Sequence, residues 1–120
     1  MPYVPLREVR DHVAQRKEFK GNNIFARKLG GAFDRKGEQI YAVFSYRYDW
    51  PLLIHAAGLW FENQDRFSRT TSKHHAYAKP YYIETRKLSV DAMNDLLNPH
   101  TQSGSVLRML AAAAQETNHA

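Results

Sequence analysis

Hydroxyl and cationic side chains are concentrated between Trp60 and Pro80, in the segment WFENQDRFSRTTSKHHAYAKP. Hydroxyl groups donate hydrogen bonds to phosphate oxygens, and arginine and lysine supply the positive charge that attracts the anion. Aromatic side chains in and after the same stretch suit stacking on unpaired bases. The segment therefore predicts a nucleic-acid or phosphate-binding surface formed by Arg66, Arg69, Thr70, Thr71, Ser72, Lys73, His74 and Lys79.

A second group of aromatic residues, Tyr46, Tyr48 and Trp50, follows the end of an apolar strand. Its simplest interpretation is a packed sheet edge. Large aromatic residues are also enriched in protein interfaces, where a few of them carry most of the binding free energy. Together with Tyr77, these residues predict a surface for a protein partner.

The same polar residues raise the question of catalysis. His74 and His75 are adjacent, so their side chains point in opposite directions in an extended loop. No spacing matches a known metal motif, and no glycine pattern marks a nucleophile elbow or a phosphate loop. We therefore expect a protein without cofactor that is not an enzyme. A small hydrolase or nuclease is the alternative if His74, Asp65 and Glu62 converge in a cleft.

Positive charge is concentrated in two segments of this 120-residue chain, whose net charge is +5. Residues 16–36 carry seven cations against two acidic residues, and residues 66–87 carry six against one. Clustered positive charge attracts polyanions and speeds their association. Two solvated faces of an ordinary basic protein are the alternative interpretation.

The length predicts a single domain over residues 1–120 that buries a substantial core. The chain has no cysteine, which excludes disulfides and thiolate metal sites. The N-terminal residues lack the apolar centre of a signal peptide, and the apolar runs are shorter than a membrane span. A cytoplasmic protein is therefore expected.

Apolar periodicity predicts the elements that must position these side chains. The strand from Gln39 to Arg47 is apolar on both faces and is expected at the centre of a sheet. Residues 64–80 show no clean period and are predicted to form a long loop. The other predicted elements are a helix over 5–19, strands over 24–33, 52–56, 59–62 and 81–85, a helix capped by Ser89 that ends at Leu97, and a helix over 102–116.

Residues 40–80 resemble small uncharacterised proteins encoded by bacteriophages and plasmids. The resemblance rests on an aromatic strand followed by proline and on a tryptophan–aromatic segment that continues into TTSKH and a second proline. The matching residues are Phe44, Ser45, Tyr46, Pro51, Trp60, Phe61, Asn63, Thr70, Thr71, Ser72, Lys73, His74 and Pro80. The resemblance implies a mobile-element origin, with a bacterial host cytoplasm as the location, and no assigned activity.

These observations predict an α+β fold with an N-terminal helix, a central antiparallel meander of four or five strands, and two C-terminal helices on one face. The leading functional hypothesis is a non-enzymatic binding protein of a mobile element that contacts nucleic acid or a protein–nucleic-acid complex. The alternative is an inhibitor that binds a host defence protein, for example a CRISPR-type complex, or a replication protein. The identity of the partner and the oligomeric state stay open at this point.

Overall fold

A mixed β-sheet of six strands is the scaffold of the described part of the chain, in the order β1-β2-β3-β4-β5-β6. The computed structural model describes residues 3–29, 40–48, 50–56, 58–65 and 69–97. The strands are β1 (Phe19–Lys20), β2 (Ile24–Leu29), β3 (Ile40–Ser45), β4 (Pro51–Ala56), β5 (Leu59–Asn63) and β6 (Thr85–Leu88). The helices are α1 (Leu6–Ala14), α2 (Arg69–Ala78) and α3 (Val90–Leu97). The α+β class predicted from the sequence is therefore confirmed.

Strand β3 lies at the centre of the sheet, as its two apolar faces predicted, and pairs with β2 and β4. One face of β3 carries Tyr41 and Val43, which pack with Val9 and Val13 of α1 and with Ala78 of α2. The opposite face packs against α3, through the buried residues Ile40, Ala42, Phe44, Met93 and Leu96. Helices α1 and α2 thus cover one face of the sheet and α3 covers the other.

The predicted hairpin is also present, because β4 and β5 pair antiparallel with Ala56 opposite Leu59. Gly58 in its turn has φ +76, a left-handed backbone that glycine adopts without steric cost. Ser89 caps α3 as predicted, since its Oγ accepts a hydrogen bond from the N–H of Ala92 at 3.2 Å.

The predicted loop over residues 64–80 is wrong, because residues 69–78 form helix α2. The buried positions of α2 are Thr71, His74, His75 and Ala78, which follow the i, i+3, i+4, i+7 spacing of one helix face. Three of these four side chains are polar, so hydrophobicity does not reveal the period. The two histidines can face the core because each has a partner inside the fold, Ser45 for His74 and Glu62 for His75.

Helix α2 changes the topology of the sheet. It connects β5 to β6, and a helical crossover allows two strands to run parallel. Strand β6 accordingly pairs parallel to β5, with Trp60 opposite Thr85 and Asn63 opposite Leu88. The prediction of a purely antiparallel meander is therefore wrong, and the last strand begins four residues later than the predicted start at Tyr81.

Helix α1 is shorter than the predicted helix over residues 5–19 and ends at Ala14. Arg16 has φ +53, which breaks the helix, and the chain then enters β1, where Phe19 is fully buried. The glycine pair at 30–31, the turn over 34–37 and the helix over 102–116 lie outside the described residues. Among the helices that are described, none has the length and apolar character needed to cross a membrane.

Candidate nucleic-acid interface

Helix α2 divides the predicted phosphate-binding residues between two faces. Thr70, Lys73 and Tyr77 are exposed and lie on one side of the helix, at positions i, i+3 and i+7. Arg69 is exposed beside them, and Ser72 is half-buried. The exposed side of α2 therefore presents hydroxyl groups and cations to solvent, as expected of a phosphate-binding segment.

A cavity of about 250 Å³ lies where α2 meets the N-terminal segment and the turn between β1 and β2. It is named here the His74 cavity. Leu6 and Ile24 contribute apolar surface, and a lysine, a threonine and an asparagine contribute hydrogen-bond donors. Its lining consists of Tyr3, Leu6, Asn22, Ile24, Thr70, Lys73 and His74.

His74 is only 5% exposed, and the Ser45 hydroxyl orients its ring. The Ser45 Oγ lies 2.8 Å from Nδ1 of His74, and both side chains are buried. Burial, and secondarily the positive charge of Lys73, lowers the pKa of His74 below its ordinary value of 6.5. The ring is therefore neutral near pH 7.

The ring of Tyr46 lies against His74, with the ring centroids 5.7 Å apart. Tyr46 has φ +67, an uncommon conformation for a bulky residue, and Asn23 has φ +61. The turn between β1 and β2 is joined to the segment after β3, because the N–H of Tyr46 donates a hydrogen bond to the carbonyl of Asn23 at 2.8 Å. The reversed backbone turns the Tyr46 side chain towards α2.

A second cavity, of about 270 Å³, adjoins the first and shares Ile24 with it. It is named here the Tyr48 groove. The Tyr48 ring packs on Phe25 and Phe44, with centroid distances of 4.8 and 5.1 Å, and its hydroxyl accepts a hydrogen bond from Nε of Arg27 at 3.0 Å. Its lining consists of Lys20, Gly21, Asn23, Ile24, Phe25, Arg27, Tyr46 and Tyr48.

The two cavities lie towards opposite faces of the sheet and adjoin at its end, where Ile24 lines both and Tyr46 of the Tyr48 groove contacts His74. Tyr46 is 50% exposed and Tyr48 is 57% exposed. No carboxylate lines either cavity within the described part of the chain. We name the polar and aromatic residues of the two cavities the basic aromatic face, and its members are Lys20, Asn22, Asn23, Arg27, Tyr46, Tyr48, Thr70, Lys73 and His74; the exposed Arg69 precedes Thr70 in α2.

Several residues predicted from the sequence do not belong to this face. Thr71 is only 2% exposed and faces the core, so it is not accessible to a phosphate group. Nζ of Lys79 lies 3.0 Å from the carboxylate of Glu62, which neutralises its charge. Trp50 is half-buried and packs against the core cluster beneath α1. Arg66 lies outside the described residues.

The carboxylate of Glu62 is the centre of a separate buried cluster that ties α2 to β5 and β6. Oε2 lies 2.5 Å from Nε2 of His75, and Oε1 accepts hydrogen bonds from Nζ of Lys79 and from the hydroxyl of Thr85. Burial by itself would raise the pKa of Glu62, but the donors Thr85, His75 and Lys79 outweigh it and lower the pKa to about 2. The other ring nitrogen of His75 is buried, so this pair does not meet a substrate.

The groups of the hydrolase alternative are engaged in different places. His74 contacts Ser45, Glu62 contacts His75, and Oδ2 of Asp65 accepts a hydrogen bond from the N–H of Val90 at the start of α3. Ser45 is only 1% exposed, so its hydroxyl orients His74 and cannot reach a substrate. Over the described ranges, no three His, Asp or Glu side chains are grouped as a metal site would require.

A third cavity, of about 370 Å³, shares no lining residue with the basic aromatic face. It includes Trp60, Tyr82, Thr85, Arg86 and one acidic residue, Glu84. The neighbouring Tyr81 is held by Arg10, whose guanidinium lies 3.9 Å from the ring centroid. Arg10 also donates to the carbonyls of Ala76 and Lys79, so Tyr81 lies beside the C-terminal end of α2, and neither Tyr81 nor Tyr82 lines a cavity of the basic aromatic face.

The sequence did not single out Lys20, Asn22, Asn23 and Arg27 as site residues, because they are distant along the chain from α2. One signal pointed to them, since the cation-rich segment 16–36 contains Lys20 and Arg27. None of the protein-family models, curated proteins or solved structures compared with the chain matches it. A functional proposal therefore rests on the geometry of the face.

Proposed function

We propose that the protein is a non-enzymatic binding protein that contacts single-stranded nucleic acid, alone or within a protein–nucleic-acid complex, through the basic aromatic face. The observation that supports this most directly is that the two cavities adjoin, since Ile24 lines both and Tyr46 of one contacts His74 of the other. Lys20 and Arg27 line the same cavity as Tyr46 and Tyr48, and Tyr46 in turn contacts His74 of α2, beside Lys73.

The charges of this face are suited to a phosphate backbone. Lys20 and Lys73 form no ion pair with any residue in the described segments. Their positive charge is therefore available to phosphates, which supply most of the sequence-independent affinity of such complexes. Because none of the described lining residues carries a carboxylate, the described part of the two cavities presents no negative side chain that would repel a polyanion.

The aromatic rings favour a single strand over a duplex. Tyr46 and Tyr48 expose about half of their surface, and bases stack on such rings only when they are not stacked on one another. Stacking contributes about 1–3 kcal/mol per base and tolerates any base. The proposed ligand is therefore a single-stranded segment, recognised with little sequence preference. The resemblance to phage and plasmid proteins makes a mobile element the proposed source.

A host defence or replication protein is the second candidate partner, because exposed tyrosines such as Tyr46 and Tyr48 are typical of protein interfaces. The positive face would then dock on an acidic site of that protein. Capture of one specific host protein from nuclease-treated extract, lost on Tyr48→Ala substitution, would support this candidate over nucleic acid.

The test of the nucleic-acid proposal is fluorescence anisotropy with short labelled single-stranded and double-stranded oligonucleotides over a salt series. The double variant Lys20→Gln/Lys73→Gln removes one cation from each cavity. We expect it to bind the single strand about tenfold more weakly, with a salt slope lower by roughly 0.7 for each lost phosphate contact.

The matched control is Lys17→Gln/Lys87→Gln, which removes the same charge from two exposed lysines that line neither cavity. It should bind like the wild-type chain. Equal losses in both double variants would mean that affinity follows net charge alone, and would contradict a localised interface. Binding that is confined to low salt in the wild-type chain would also contradict the proposal.

A further inference from the structure

The His74 cavity contains a feature that the general charge of the face does not explain. His74 is 95% buried, since its exposed fraction is 5%, yet only one of its ring nitrogens is engaged. Nδ1 pairs with the Ser45 hydroxyl, and no group in the described residues pairs with Nε2. Nε2 is not among the buried side-chain atoms that lack a partner in the described residues, so it reaches solvent and is open to a ligand.

The hydrogen bond between Ser45 and Nδ1 influences whether Nε2 is a donor or an acceptor towards a ligand. A hydroxyl both donates and accepts hydrogen bonds, so Ser45 can donate to Nδ1 of the neutral ring. Nε2 then carries the proton and is a donor. If the ring is protonated, Ser45 accepts from Nδ1 and Nε2 is again a donor. Each of these two states presents an N–H to a ligand, and a phosphate group would select them over the third state, in which Nδ1 donates to Ser45 and Nε2 is an acceptor.

The other polar groups of the cavity have the same character. The Lys73 ammonium group is a cation, the Thr70 hydroxyl and the Asn22 amide can donate, and none of the lining residues that the structure describes carries a carboxylate. A set of donors with one positive charge matches the acceptor oxygens of a phosphate group. The remaining described lining residues are Tyr3, Leu6 and Ile24.

We propose that the His74 cavity is a phosphate-binding site, in which Nε2 of the largely buried His74 ring is a donor, Lys73 provides the charge, and Ser45 is a positioning residue. This inference rests on the proposed function for the source of the phosphate, which is a nucleic-acid strand. The existence of the site can be tested separately from that function, since inorganic phosphate alone should occupy the cavity.

The test is an NMR titration of the imidazole nitrogens with inorganic phosphate, at constant pH and with chloride keeping the ionic strength constant. We expect the signals of His74 to shift and to saturate. The signals of His12 and His55 are internal controls, because neither residue lines the cavity. Equal shifts of all histidines, or a response of His74 to chloride alone, would overturn the proposal.

Two variants sharpen the result. His74→Phe keeps the ring shape but has no donor, and should bind phosphate at least about tenfold more weakly. His74→Gln keeps an amide donor and should recover part of the loss. Unchanged phosphate affinity in a folded His74→Phe protein would overturn the proposal. If that variant does not fold, the titration of the wild-type chain still decides.

Oligonucleotides separate the two inferences and identify the source of the phosphate. An oligonucleotide with a 5′-phosphate that binds more tightly than its 5′-hydroxyl counterpart assigns the site to a strand end, and equal binding assigns it to an internal phosphodiester. If His74→Phe binds the oligonucleotide with the affinity of the wild-type chain, the phosphate site is contradicted but the proposed function is not. Phosphate binding without oligonucleotide binding would support the phosphate site and contradict the proposed function.

Discussion

Replacing Glu62 with glutamine tests whether the buried carboxylate holds α2 against the sheet. The side chain keeps its size, but the negative charge that contacts His75 and Lys79 is lost. The hydrogen bonds of the carboxylate join residues of α2 to β5 and to Thr85 in β6. The substitution should therefore destabilise the fold while leaving both cavities of the basic aromatic face without a changed lining residue.

The magnitude follows from the pKa of Glu62, which folding lowers from 4.5 to about 2. In the unfolded chain the carboxylate takes up a proton near pH 4.5, whereas in the folded chain it stays ionised down to about pH 2. The stabilisation is therefore complete above pH 4.5 and is lost as the pH falls towards 2. It amounts to about 3 kcal/mol at pH 7 and to about 1 kcal/mol at pH 3.

Urea unfolding of the wild-type chain and of Glu62→Gln, measured between pH 7 and pH 3, checks this prediction. The difference in unfolding free energy should be about 3 kcal/mol at pH 7 and should narrow on acidification. Glu84→Gln is the control, because Glu84 is exposed, and its effect should be small at every pH. A difference for Glu62→Gln that stays constant with pH would refute the argument.

Two further predictions concern His74 and Gly58. Because burial lowers the pKa of His74, the unfolded chain binds a proton below pH 6.5 that the folded chain does not, so stability should fall as the pH drops from 6.5. His74→Gln should show a shallower loss of unfolding free energy over this range, and an unchanged slope would contradict the assignment. Gly58→Ala should lower the unfolding free energy by about 1 kcal/mol, since φ is +76 and space is open around the new methyl group. Thermal unfolding measures this change, and a stabilised variant would count against it.

The extent to which the sequence predicted the fold depends on where polar residues lie. Strand β3 was predictable because both of its faces are apolar, and α3 because Ser89 precedes a clear apolar period. Helix α2 was not, because His74 and His75 occupy core-facing positions. Their partners, Ser45 and Glu62, come from other strands, and only the folded chain shows that these polar groups are satisfied.

The candidate site was predictable in part for a similar reason. Arg69, Thr70 and Lys73 are close in sequence and share the exposed side of α2. Their neighbours on the face come from the β1–β2 region and from the end of β3, and only the sheet register brings Ile24 opposite Ser45, next to Tyr46. Spatial proximity of this kind is not encoded in local periodicity.

The most direct measurement of the central claim is a ¹H–¹⁵N NMR titration with a short single-stranded oligonucleotide at near-physiological salt. We predict saturable shifts of the backbone signals of five residues of this face, which are Asn22, Asn23, Tyr46, Thr70 and Lys73. The backbone signals of Glu84 and Arg86, which line the third cavity, should change little. Shifts that centre on Glu84 and Arg86, or no shifts at all, would contradict a nucleic-acid interface on the basic aromatic face.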